Sequence, residues 1–270
     1  MKLRIRGVDL WVEDSAPGSS REAVLFSHGL LWSADMFAHQ VSALRDQFRC
    51  VAWDHRGQGR SDPGEGDALG MDQLTLDALA IMDRLELSSA HFVGLSMGGF
   101  VGMRLAARYP ERVRSLCLLE TSAGPEPRKN LPKYRVLVFV ARHLGVRHVV
   151  DAVMPVMFSK TFLTDPRYAA VRSEWRQRLA DSRDDIWRAV QGVLRRPGVE
   201  HELDRITCPT LVIVGDEDKA TPPDKAEAIV RGVRNARLAR VPEAGHTSTV
   251  EQPERVSQLL RDFLRAQPRD

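Results

Sequence analysis

Three observations predict an α/β fold with a mostly parallel central sheet flanked by helices and an inserted helical cap. Short apolar runs rich in β-branched residues recur along the chain, and amphipathic helical patterns lie between most of them. One stretch, residues 125–200, carries helical patterns and no convincing strand. At 270 residues, against roughly 150 for an average domain, length allows one large domain or two small ones. The alternation favours a single doubly wound core, residues 1–124 and 201–270, with residues 125–200 inserted as a cap.

The elements follow in order. Leu3, Ile5, Val8, Leu10 and Val12 alternate with polar residues on either side of Gly7, which predicts an opening β-hairpin. Ala23–Phe26, Cys50–Trp53, His91–Leu95, Leu116–Leu119, Thr210–Val214 and Ala236–Val241 are short and bounded by Gly, Asp or Pro. They read as strands buried on both faces of a parallel sheet. Apolar residues three and four apart predict helices over Ser33–Leu44, Met71–Leu87, Met97–Tyr109, Pro223–Val233 and Pro253–Phe263. Within the insertion the same spacing predicts Tyr134–Leu144, Arg147–Met157, Pro166–Leu179 and Asp184–Leu194.

Composition narrows the function. With 28% charged and 43% hydrophobic residues the chain is globular with a sizeable core. Its 39 bases and 36 acids leave a net charge of +3, too little to spread a phosphate-binding potential over the surface, so no nucleic-acid partner is expected. The charge is uneven, however. Residues 125–200 hold 12 Arg and 3 Lys against 8 acids, a net +7, and the rest of the chain carries −4. These arginines read either as solvated helix faces or as a mouth that attracts anions. No run of about 18 apolar residues occurs and the start is charged, so a cytoplasmic protein without a membrane partner is expected. Cys50, Cys117 and Cys208 cannot all pair, and three free thiols are expected.

The chemistry is concentrated in His91-Phe92-Val93-Gly94-Leu95-Ser96-Met97-Gly98-Gly99, a strand run followed directly by G-x-S-x-G and a helix. In that context a sharp turn lifts the serine off the strand tip, and the two outer glycines leave room for close backbone packing. The free N–H groups at the helix start favour negative charge developing on an attacked acyl oxygen. A serine nucleophile needs a base and a group to orient it. His246 lies just after the last strand run, whereas the other seven histidines come earlier in the chain. After the preceding strand run, Asp216 and Asp218 compete for the acid, and Glu120 at the end of Leu116–Leu119 is a third candidate.

The order Ser, Asp, His, with these motifs, resembles the α/β-hydrolase superfamily, and within it the esterase, enol-lactonase and cofactor-free perhydrolase group. Ser27-His28-Gly29-Leu30 is similar to the family's His-Gly oxyanion loop, which implies that the backbone N–H groups of Leu30 and Met97 hold the oxyanion. Asp54-His55-Arg56-Gly57-Gln58-Gly59-Arg60-Ser61 resembles the D-x-R-G-x-G-x-S loop and reads as structural, with His28 and Arg56 anchoring turns. The run Gly215-Asp216-Glu217-Asp218, with Pro222 four residues on, resembles G-x-x-D-x-x-x-P, which assigns the acid to Asp218 and makes Asp216 a turn former. Glu120-Thr121-Ser122 is then expected to close its strand and hydrogen-bond the base of the cap.

The resemblance implies a serine hydrolase of small carboxylic esters or lactones that works through an acyl-enzyme on Ser96, with no cofactor and no metal. An acyltransferase or perhydrolase with the same triad, or a ligand receptor on the same fold, are the alternatives; a dehalogenase would need Asp where Ser96 stands. The partner is a small-molecule ester or lactone, and the protein is a monomer or homodimer. Leu31 and Trp32 are expected on the acyl side of the pocket, facing Met154, Met157, Phe158, Phe162 and Trp187 of the cap. The stretch around Trp32, Met36 and Gln40 is similar to the enol-lactonase branch, whose substrates carry carboxylates.

Overall fold

The computed structural model describes residues 1–66 and 69–268. Its eight strands are β1 (Lys2–Ile5), β2 (Val8–Asp14), β3 (Ala23–Ser27), β4 (Arg49–Trp53), β5 (Ala90–Leu95), β6 (Val113–Leu119), β7 (Thr210–Gly215) and β8 (Ala236–Val241). They form one sheet in the order β1-β2-β4-β3-β5-β6-β7-β8. The opening pair is an antiparallel hairpin that sets Leu3 opposite Leu10. Arg6 and Gly7 turn it with φ of 45° and 85°, the left-handed pair that two-residue hairpin loops require. From β4 through β8 every pairing is parallel.

Eleven α-helices are present among the described residues. In the core, α1 (Ala38–Leu44), α2 (Met71–Arg84) and α3 (Met97–Arg108) precede the insertion. Between β6 and β7, residues 125–200 form α4 (Leu131–Leu144), α5 (Val150–Met157), α6 (Lys160–Thr164), α7 (Ala169–Ala180) and α8 (Trp187–Leu194), and no strand. The core resumes with α9 (Pro223–Gly232), α10 (Ser248–Glu251) and α11 (Pro253–Arg265). None of these helices is long and apolar enough to cross a membrane.

Side-chain alternation along the strands builds two cores. Leu25, Phe92, Leu116, Leu118 and Val212 point to one face and pack with α2, α3 and α9. Val24, Phe26, Val93, Cys117 and Ile213 point to the other and pack with α1 and α11. Since β3, β5 and β7 are buried along their whole length, period two is hidden in sequences that are apolar at almost every position. Cys50 and Cys117 are buried, Cys208 is half-buried, and all three are free thiols.

Several elements differ from the sequence reading. β8 is a sheet edge, half-exposed along most of its length, with Arg237 over the Phe263 ring on one face and Arg240 paired with Asp216 on the other, so it is not buried on both faces. The helix expected from Ser33 opens as a 3₁₀ turn over Ala34–Phe37 before α1 begins. α6 was not anticipated; it is five residues long, too short for periodicity to register, and is started by Ser159, whose hydroxyl accepts the Phe162 N–H at 2.9 Å.

Candidate active site

The strand order reverses at β3: the chain steps outward to β4, then returns to the other side of β3 with β5. In parallel sheets the crevice beyond the strand ends at such a switch point is where ligands bind. Ser96 stands there, between the last residue of β5 and the first of α3, with φ 51° and ψ −108°. That left-handed backbone costs about 1–3 kcal/mol for a side chain other than glycine. The turn is held from both sides: the Ser96 N–H donates to the Leu119 carbonyl at 2.8 Å, and the Thr121 hydroxyl donates to the Ser96 carbonyl at 2.8 Å. A β-carbon on Gly94 would overlap the Gly98 carbonyl, and one on Gly98 would overlap the Ser27 carbonyl. Both glycines are therefore dictated by packing between β3, the turn and α3.

His246 comes to the serine from the loop after β8, with Nε2 2.8 Å from Ser96 Oγ. Its Nδ1 lies 3.1 and 3.0 Å from the two carboxylate oxygens of Asp218. The carboxylate is itself fixed, since Oδ1 accepts the N–H groups of Ala220 (2.8 Å) and Thr221 (3.1 Å) and Oδ2 accepts the Thr221 hydroxyl (2.8 Å). An acceptor on the Nδ1 side keeps that proton in place and leaves Nε2 to accept the serine proton. Asp216 faces away and takes Arg240 Nε at 2.6 Å on the protein surface. All three groups of the constellation are at least nine-tenths buried.

Two buried residues that sequence reasoning passed over brace this arrangement. Glu251 accepts the N–H groups of Gly245 and Thr247, on either side of His246, and that of Ser159 in the insertion. Gln58 accepts the Leu31 N–H at 2.9 Å through Oε1 and directs Nε2 at Met97 Sδ, 3.6 Å away. Leu31 has φ 73°, so the loop carrying Leu30 is strained and needs this tether. Gln58 occupies a variable position of the loop motif, and Glu251 belongs to no motif, which is why neither carried a signal.

Around them His28 and Arg56 anchor turns. His28 donates from Nδ1 to the Gly29 carbonyl (2.7 Å) and accepts the His55 N–H at Nε2 (2.9 Å). Burial pulls both His28 and His55 below the usual imidazole range. Arg56 is paired with buried Asp77 through Nε at 2.6 Å.

Glu120 follows β6 with φ 41° and is fully buried, and neither carboxyl oxygen has a hydrogen-bond partner in good geometry, although Ser248 and Gly215 lie beside it. Of the run Glu120-Thr121-Ser122, expected to bond residues 125–200, Glu120 itself makes no such bond. Ser122 makes that link instead, accepting from Arg196 Nη2 at 3.3 Å. Burial, with the Asp218 charge second, pushes the Glu120 carboxyl well above its ordinary value near 4.5. The unfolded chain then releases a proton that the folded protein keeps, so stability falls as pH rises from about 4.5 toward the folded value. Glu120→Gln carries a neutral group throughout. Its stability relative to the parent, read from urea unfolding between about pH 4 and pH 8, is expected to improve as pH rises; a pH-independent difference contradicts this.

A cavity of about 150 Å³ opens from Ser96 and His246 into the insertion. Of the expected pocket residues, Leu31, Met157 and Trp187 border it, as does Leu30. Met154, Phe158 and Phe162 do not border it. Phe158 stacks on Phe162 with centroids 4.6 Å apart, and these residues join Met154 in the core that fastens the insertion to the sheet. Trp32 meets Phe158 and Trp175 edge-on and borders a separate cleft. Met36 and Gln40 are buried too: Met36 Sδ receives the Gly29 N–H, and Gln40 reaches the Thr249 and Pro253 carbonyls. The Trp32, Met36 and Gln40 stretch thus supports the loop after β3 and the C-terminal helices instead of facing the cavity.

Known proteins share this architecture and this length. The enol-lactonase from Burkholderia xenovorans LB400 superposes with a TM-score of 0.90 at 27% identity, covering 98% of this chain and 99% of that one. A thermophilic esterase from Thermogutta terrifontis gives 0.89 at 29% identity, covering 98% and 97%. In sequence, the RutD protein of Caulobacter sp. (strain K31) is 30% identical over 254 residues, 92% of each chain, and 3-oxoadipate enol-lactonase 2 of Acinetobacter baylyi is 28% identical over 247 residues, 92% of this chain and 90% of its own. The fold is that of the α/β-hydrolases, and since the family model described as serine aminopeptidase, S33 (Hydrolase_4) matches residues 18–253, the chain belongs to that hydrolase family.

Proposed function

We propose that this hydrolase cleaves small carboxylic esters or lactones through an acyl-enzyme on Ser96, and that residues 125–200 act as its cap. The observation that carries the reading is the continuous path from Ser96 Oγ to His246 Nε2 (2.8 Å) and from Nδ1 to Asp218 (3.0 Å), at the mouth of an apolar cavity. Ser96 Oγ attacks the acyl carbon as His246 Nε2 takes its proton, and Asp218 stabilises the imidazolium. The oxyanion is received by the N–H of Met97, the first of α3 and without an intrahelical acceptor, and by that of Leu30. His246 then returns the proton to the leaving alkoxide. Water, deprotonated by the same nitrogen, attacks the ester of Ser96, and the proton passes from Nε2 to the departing Ser96 Oγ as the acid is freed.

The cavity favours esters over peptides with a free amino terminus. Among the described residues lining it, the one carboxylate is Glu126, which is engaged by Arg196 and Asn130. A direct test is the incubation of the protein with a fluorophosphonate and mapping of the adduct by mass spectrometry. Labelling at Ser96 that parallels loss of activity on a chromogenic acetate is expected; full activity with Ser96 unmodified rejects the mechanism.

Gln58 positions the oxyanion loop in this reading, so Gln58→Leu should reduce kcat by about tenfold to a hundredfold with little change in KM, since a misplaced donor weakens only the transition state. Gln58→Glu keeps an acceptor for the Leu31 N–H and is expected to retain more activity than the leucine variant. Equal kcat in all three proteins removes Gln58 from the mechanism.

A further inference from the structure

The cavity behind Ser96 is walled almost wholly by hydrocarbon: Leu30, Leu137, Val138, Val153, Trp187 and Val190 are typical of its lining. α4 and α8 supply much of that wall, turning Leu137, Val138 and Ala141 inward while Val136 and Phe139 stay exposed outside. The wall contains one cation among the described residues, Arg196, whose charge Glu126 already balances, although its Nε has no hydrogen-bond partner. Arg196 Nη1 donates to Glu126 at 3.3 Å and to the Val193 carbonyl at 2.8 Å, Nη2 reaches Ser122, and the guanidinium lies 4.0 Å from the centroid of the Phe100 ring. The net charge of the Arg196–Glu126 pair is zero. Among the described residues no other arginine of 125–200 borders the cavity: Arg176 pairs with Asp151, Arg178 with Asp35 and Glu174, and Arg142 lies over the Trp187 ring. The excess positive charge of residues 125–200 thus sits on helix exteriors, and a carboxylate entering the cavity would lose water and meet no uncompensated cation, only neutral donors such as the Tyr134 and Thr221 hydroxyls.

Resting on the serine-hydrolase reading above, we infer that the acyl part of the substrate is an uncharged hydrocarbon group about the size of a butanoyl to hexanoyl chain or a benzoyl ring, and that acids bearing a second carboxylate are excluded. The size follows from the volume: an apolar cavity of about 150 Å³ stays dry and accommodates a benzene ring in an engineered protein of another fold. The chemistry follows from the wall. This sets the protein apart from the enol-lactonase branch that its Trp32, Met36 and Gln40 stretch resembles, because those three side chains serve packing and none lines the cavity.

The test compares matched esters that differ only in the feature at issue. Chromogenic esters from acetate to decanoate are expected to show kcat/KM rising about fourfold for each methylene that the cavity takes up, and falling once the chain outgrows it. Methyl hexanoate should exceed monomethyl adipate, of equal acyl length with a terminal carboxylate, by at least about a hundredfold. Leu137→Trp, on half-exposed α4, fills the cavity and should lower the hexanoate-to-acetate ratio. Preference for monomethyl adipate, or a flat response from acetate to hexanoate, overturns the inference and leaves the serine mechanism standing. If no ester is turned over and Ser96 takes no fluorophosphonate, the mechanism fails instead. The cavity is then read by calorimetric titration of Ser96→Ala with the same two methyl esters, where tighter binding of methyl hexanoate supports the inference and equal or reversed affinity overturns it.

Discussion

Ser96→Ala is expected to cut kcat on a chromogenic ester by up to about a millionfold while the unfolding transition stays close to that of the parent. The loss is large because, among the described residues, the oxygen removed is the one placed at both His246 Nε2 and the cavity mouth. The fold is spared because the serine hydroxyl makes no structural bond besides the one to His246, and the backbone bonds to Leu119 and Thr121 remain. Alanine inherits the left-handed φ of 51°, so the strain of the turn is unchanged. His246→Ala should cost a similar factor, since a serine without its base is a weak nucleophile, and the double variant should be no worse than either single one. Turnover within about tenfold of the parent in a folded Ser96→Ala protein would reject Ser96 as the nucleophile.

What the sequence made legible was the part of the molecule where local pattern and global packing agree. Strands such as Phe92–Leu95 and Leu211–Val214 are buried on both faces, so apolar runs mark them without ambiguity. The serine turn was readable for the same reason: Gly94 and Gly98 are forced by backbone contacts that no larger residue can tolerate. Edges were harder. β8 is apolar enough to pass for a central strand, but its neighbours lie on one side only, which is a fact of topology and not of composition.

Side-chain direction was the main thing hidden. Met154, Phe158 and Phe162 are as apolar as true wall residues, and nothing in their identity distinguishes a ring that stacks under the insertion from one that faces a ligand. The wall is made instead by modest aliphatic residues of α4 and α8, whose helical spacing was visible although their destination was not. Buried braces were hidden differently. Glu251 lies five residues beyond His246 on a four-residue helix, where its carboxylate collects three N–H donors from two separate parts of the chain. Its role arises from tertiary contact alone, as does that of Gln58.

Asp218→Asn is expected to lower kcat by about ten-thousandfold, whereas Asp216→Asn should stay within about twofold of the parent. The donors around Asp218 explain why an isosteric amide is so damaging. Oδ1 already receives the Ala220 and Thr221 N–H groups, so the amide nitrogen of asparagine can occupy only the Oδ2 position. There it sits about 3.0 Å from His246 Nδ1, and donor would face donor. The imidazole relieves the conflict by moving its proton to Nε2, which then points a hydrogen at Ser96 Oγ and cannot accept one. Asp216 takes part in none of this, since its carboxylate serves Arg240 on the surface. Measured kcat for the two variants ranks the acids directly. The reverse order would transfer the role to Asp216, and near-parental kcat in both would leave the carboxyl of Glu120 as the remaining acid on the sheet edge, to be settled by the kcat of Glu120→Gln.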